Sequence, residues 1–250
     1  MNNGFFITVS GRKIALFSLS LLPEDKSRYL VDGSDLIVFI TPSEKYDFKA
    51  SVYDTSLCLR PSDPDAFAAI GIFFLKIRGL PLPEVEIEYN GAPVRIKLAF
   101  FENNLCALSL TECKLLSTKT HTSKSGVEVV LTTAILSCDV YLRLMRTERS
   151  SLVKGDVLCE FNYIKGLSDT LCSLAYSIES EGVNLVLSGE SFFSSAAALS
   201  ALEWARYSGG SFPRTAFYMK DRHLDAEVLY SGEVRLYFEY SFSPLELKEG

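Results

Sequence analysis

The groups in this chain that could move a proton, attack a carbon or hold a metal are few and scattered. Cysteines stand at Cys58, Cys106, Cys113, Cys138, Cys159 and Cys172. A thiol acts as base, nucleophile or metal ligand only as its thiolate, which needs a neighbouring cation, a metal or a helix N-terminus. No two of the six have CxxC spacing, and several lie in apolar, strand-like contexts such as Leu105-Cys106-Ala107 and Val157-Leu158-Cys159. They read as buried free thiols of a cytoplasmic protein, not as a disulfide framework. His121 falls in a polar turn and His223 in a loop before a strand, and both read as surface histidines. No cluster of histidine, cysteine or carboxylate has the spacing of a metal site, so none is expected. Ser188-Gly189-Glu190-Ser191 is the stretch with a binding geometry. It starts a helix, where free amides and a serine hydroxyl can hold a carboxylate or another anion. Glu190 adds a negative charge to that same turn, so it either fills the anion site itself or repels an anionic ligand. A self-capped helix with no ligand is the competing reading.

Two buried helices must position whatever chemistry remains. Ser188 to Gly209 is one helix whose run from Phe192 to Ala205 has almost no polar face. Asp63-Pro64 is a good N-cap and N1 pair for the other, which continues without a polar stripe to Ile77 and stops at Gly79. A helix that is apolar all round is buried on every side. Strand-like segments flank each one in the same order: Val85–Tyr89 and Val94–Phe100 after the first, Thr215–Met219, Leu224–Tyr230 and Glu233–Tyr240 after the second. The spacing predicts an α+β protein of two pseudo-symmetric halves, about 1–112 and 113–250. Each half is a curled, mostly antiparallel, barrel-like sheet around one central helix, with the last strand returning to the first half. Asp35–Thr41 is a strand buried on both faces by its continuous apolar run, and Asp156–Tyr163 is a further strand. Ser208-Gly209-Gly210-Ser211 follows a helix, so it is a C-cap and not a phosphate loop.

Composition excludes several classes of function. Hydrophobic residues are 48% of the 250 and charged residues 22%, an ordinary globular balance. The net charge of −6 and the lack of any long basic cluster exclude non-specific nucleic-acid binding. No apolar run is long enough for a membrane helix. Arg12 and Lys13 interrupt the apolar start and no clean cleavage site follows, so no signal peptide is expected.

Four segments then resemble one family. Asp35-Leu36-Ile37-Val38-Phe39-Ile40-Thr41-Pro42-Ser43-Glu44 with Asp47-Phe48-Lys49, Pro61 to Leu75, Glu179 to Ala198, and the closing pieces Leu224–Val228 and Gly232–Leu236 are similar in pattern and order to the diaminopimelate epimerases. These are cofactor-independent amino-acid epimerases of lysine biosynthesis, related in fold to proline racemase and the phenazine-biosynthesis isomerases. The resemblance implies a site in which two cysteines flank the substrate's α-carbon, one removing a proton and the other delivering one. Those positions fall at Ala68 and Ser188 here. Alanine carries no proton, and a serine hydroxyl is a poor base unless another base activates it. The family's asparagine near the N-terminus falls at Lys13-Ile14-Ala15, and its helix start has become Ala68-Ala69-Ile70-Gly71. A longer family loop is shortened to Ser137-Cys138-Asp139, which leaves Asp139 as a pocket candidate. Glu179 is kept from a glutamate–arginine pair, with Ser180 in the arginine's place. The binding candidates are therefore Glu179, Ser188, Gly189, Glu190, Ser191 and Asp139. The reading is a catalytically silent, epimerase-like protein that binds a small amino acid or carboxylate, or a partner protein, with a homodimer as the assembly to test and no cofactor. The alternative is a cofactor-independent isomerase working through Ser188, Asp139, Glu179 or an off-motif cysteine.

Overall fold

A computed structural model describes residues 3–61, 63–79, 84–111, 113–122, 128–136, 140–147, 171–178, 182–187 and 192–245. The chain divides into two compact units, Met1–Ser109 with Tyr237–Gly250, and Leu110–Leu236. The first unit holds β1 (Asn3–Val9), β2 (Arg12–Ser18), β3 (Leu36–Thr41), β4 (Phe48–Asp54), α1 (Pro64–Arg78), β5 (Glu84–Tyr89), β6 (Ala92–Phe101) and β7 (Leu105–Leu110). The second holds β8 (Cys113–Thr122), β9 (Glu128–Leu136), β10 (Val140–Thr147), β11 (Leu171–Ile178), β12 (Gly182–Leu187), α2 (Phe193–Tyr207), β13 (Phe212–Met219) and β14 (Arg222–Val228). The final strand, β15 (Val234–Pro244), gives residues to both. The segment Asp156–Tyr163, predicted as a strand, lies outside the described residues.

In the first unit the hydrogen-bonded order β1-β2-β3-β4-β5-β6-β7-β15 returns on itself, because β15 also pairs with β1. That pairing is antiparallel and runs from Phe5 opposite Pro244 to Val9 opposite Tyr240. The ring needs tight corners. Ser10 (φ 44°) and Gly11 (φ 82°) make a two-residue turn that brings Val9 opposite Arg12, and positive φ at both central positions matches the twist of a hairpin. The α1 helix is buried from Ala66 through Phe74. Asp63 caps its start, and Gly79 in the left-handed region closes it by donating its N–H to the Leu75 carbonyl. Gly71 faces Leu98 of β6 so closely that a Cβ there would collide with the leucine side chain.

All six residues of β3 are buried. One reason is the covering segment between β2 and β3. Its 3-10 turn, Lys26–Tyr29, sets the Tyr29 ring edge-on to Phe17 and Phe39, with centroids 5.0 and 5.3 Å away. Tyr29 and Val31 thus pack on a cluster of Ala15, Phe17, Leu19, Ile37 and Phe39. A strand covered on both faces has no reason to alternate, which is why its sequence reads as a continuous apolar run.

The second unit repeats the sequence of pairings. In the first, β1–β2 is antiparallel, β2–β3 parallel, β3–β4 antiparallel, β4–β5 parallel and spanned by α1, and β5–β6 antiparallel. In the second, β9–β10 is antiparallel, β10–β11 parallel, β11–β12 antiparallel, β12–β13 parallel and spanned by α2, and β13–β14 antiparallel. A parallel pair cannot be joined by a tight turn, and each helix supplies the long crossover that it requires. Like α1, α2 is buried along most of its length, with Ala196, Ala197, Ala198, Leu199 and Ala201 inaccessible. Each unit is thus a curled, mostly antiparallel sheet with a buried helix.

Three sequence expectations are corrected. Cys113–Thr122 forms β8, which does not read as a strand, and His121, expected in a polar turn, pairs there with Val129 of β9. Among its first eight residues only Cys113 is buried, so the apolar alternation that signals a strand is missing. His223 lies inside β14 and not in a loop before it. Tyr230 falls beyond that strand, and is 86% exposed. Among the described residues, no helix is long and apolar enough to cross a membrane.

Candidate functional site

The start of α1 is the best-defined polar site in the first unit. Asp63 Oδ1 accepts the amides of Asp65 and Ala66 at 3.0 and 3.4 Å, satisfying two of the helix's free donors. The other oxygen, Oδ2, accepts Arg12 Nη1 at 2.8 Å, and the same nitrogen reaches Asp65 Oδ2 at 3.0 Å. Arg12 belongs to the first position of β2, just after the tight turn, so the hairpin geometry delivers a guanidinium to the helix start. All three side chains are buried. The approach to the cap is held in place as well. Tyr89 Oη donates to the Pro61 carbonyl at 2.9 Å, and Asn90 Nδ2 donates to the Arg60 carbonyl at 2.6 Å. Phe67 packs edge-on against Tyr89, with centroids 5.0 Å apart.

The electrostatics of this cluster differ from those of an open helix N-terminus. Burial alone disfavours the charge on Arg12, but Asp63 and Asp65 outweigh it and hold its pKa above the ordinary guanidinium value. Complete burial pushes the Asp63 carboxyl above its ordinary range. Arg12 opposes that rise, and the neighbouring Asp65 carboxylate adds to it. The first helix amides already donate to the Asp63 carboxylate, and Asp65 adds a second carboxylate to the same turn, so the local field disfavours a further negative charge.

Ala68 begins the second turn of this helix and is fully buried. The other sequence candidates, Asp139, Glu179, Ser188, Gly189, Glu190 and Ser191, lie outside the described residues. The first described residue of the second helix start, Phe192, makes no side-chain cap. The guanidinium carbon of Arg222 lies 5.0 Å from the centroid of the buried Phe193 ring, a cation–π contact.

A second polar cluster escapes the sequence reading. Glu203, buried within α2, accepts a hydrogen bond from Thr132 Oγ1 of β9 at 2.8 Å. Thr132 Oγ1 lies 3.2 Å from Thr118 Oγ1 of β8, which accepts Arg206 Nη1 at 2.9 Å. Each hydroxyl has one proton, so the self-consistent chain runs Arg206 to Thr118 to Thr132 to Glu203, every hydroxyl accepting once and donating once. The available signal was a single carboxylate, Glu203, in a helix of mostly apolar and small residues. Among the described residues no group of three potential ligands is placed to hold a metal ion.

No protein-family model matches the sequence, and no curated protein does. Solved structures do. The chain is similar to a phenazine-biosynthesis PhzC/PhzF-type protein of Clostridium difficile, with a TM-score of 0.68, 9% identity and full coverage of both chains. A predicted epimerase of Pseudomonas aeruginosa gives a TM-score of 0.68 at 13% identity, again over the whole of both chains. A hydroxyproline epimerase of Agrobacterium vitis, solved with trans-4-hydroxy-L-proline bound, gives 0.57 at 10% identity over 99% of this chain and 93% of that one. The fold is therefore that of the epimerase-like isomerases, the group that holds the PhzF and proline-racemase types. At these identities the likeness defines the fold alone.

Proposed function

We propose that the chain is a catalytically silent protein of the diaminopimelate-epimerase type, with residues 1–112 and 113–250 as its two halves. It acts by binding a small amino acid or carboxylate, or a partner protein that includes a second copy of itself, and not by epimerising a substrate. The observation that carries the reading is the start of α1. Ala68 occupies the position where the resemblance puts one proton-carrying cysteine, and Arg12, Asp63 and Asp65 form a buried ion cluster at the start of the same helix. A two-base exchange needs an acceptor on one face of the α-carbon and a donor on the other. Ala68 offers neither, and neither histidine adjoins Ser188 in sequence. The candidates Glu179, Ser188, Gly189, Glu190, Ser191 and Asp139 belong to the binding role in this reading.

The test is solvent deuterium incorporation at the α-carbon of diaminopimelate and a panel of other amino acids, with purified protein in deuterium oxide. No exchange above the rate without protein is expected. Ser188→Cys alone is expected to stay inactive, because acid and base work as a unit and single repairs restore little. Exchange by the unmodified protein would overturn the proposal and move the assignment to Asp139, Glu179 and Ser188.

A further inference from the structure

We draw no further inference here: the strongest candidate, the exposed leucines Leu21, Leu22 and Leu30 on the segment that covers the outer side of β2 and β3, is an apolar surface for which nothing in the structure shows what covers it.

Discussion

Arg12 shows how much one side chain can decide. Two buried carboxylates converge on its Nη1, and removing the cation leaves them uncompensated inside the first unit. Arg12→Ala should therefore cost about 3–5 kcal/mol in urea unfolding, the range for breaking one side of a buried ion pair. Arg12→Lys keeps the charge on a shorter stem and should lose less. The same cluster predicts the behaviour of a thiol placed at position 68. A cysteine near a helix N-terminus is ordinarily activated, but here Asp63 caps that N-terminus, Arg12 is held by Asp63 and Asp65, and position 68 is fully buried. An Ala68→Cys thiol should alkylate more slowly than the exposed Cys58, as mass spectrometry of the native protein would measure. Faster reaction at position 68 would contradict the field described for the α1 start.

Cys106 of β7 titrates in the opposite sense from a catalytic thiol. Burial pushes it up to about 12, whereas in an unfolded chain a thiol titrates near its ordinary value of about 8.5. Its folded pKa is the higher one, so its contribution to stability is complete below about pH 8.5 and is lost as pH rises toward 12. The slope over that window is about 1.4 kcal/mol per pH unit. Cys106→Ala should lower stability at neutral pH through lost packing, yet flatten the alkaline decline. An unchanged slope would mean that another group causes it.

At the scale of elements, two glycines separate close packing from a backbone constraint. The atoms nearest to a Cβ at Gly71 would be those of the Leu98 side chain, whereas the nearest to one at Gly182 would be the Ala216 carbonyl, and Gly182 also has φ 127°. Side chains shift more easily than a strand carbonyl. Gly71→Ala should cost about 1–3 kcal/mol as overpacking, and Gly182→Ala more, compared by thermal melting of the two variants. The elements that were legible before the structure share one property: their signals are local. Asp63-Pro64 and Gly79 bracket α1, and the apolar run of β3 marks a strand whatever its partners. Elements whose signals are tertiary were not legible. The exposed face of β8 hides its alternation. Arg12 reads as a charge interrupting an apolar start, because its partners lie 51 and 53 residues away. Glu203 reads as an exception in α2 because Thr132 is 71 residues distant. The resemblance alone points to Ala68, whereas the ion cluster at the start of the same helix depends on the hairpin turn that delivers Arg12.

For the molecule as a whole, the closure of the first unit by β15 carries a consequence for how the chain is made. Among the strands of the two units, β1 is made first and its partner β15 last. Phe5 stacks on Phe242 at 5.1 Å, and the Leu245 amide reaches the Gly4 carbonyl at 2.8 Å. Until β15 has been made, β1 lacks this neighbour and exposes an unpaired strand edge, the feature that invites aggregation. Contacts this distant along the chain also slow folding. The usual order of synthesis, in which the N-terminal unit folds first, meets an obstacle here: the ring of the first unit cannot close before β15 is made, whereas β8 to β14 all precede β15. Because Gly4 and Leu245 lie side by side, a circular permutant that joins Leu245 to Gly4 through a short linker and opens at Ser231 would release β15 ahead of β1. Its refolding should leave less aggregate than the natural chain at equal concentration, as light scattering would record.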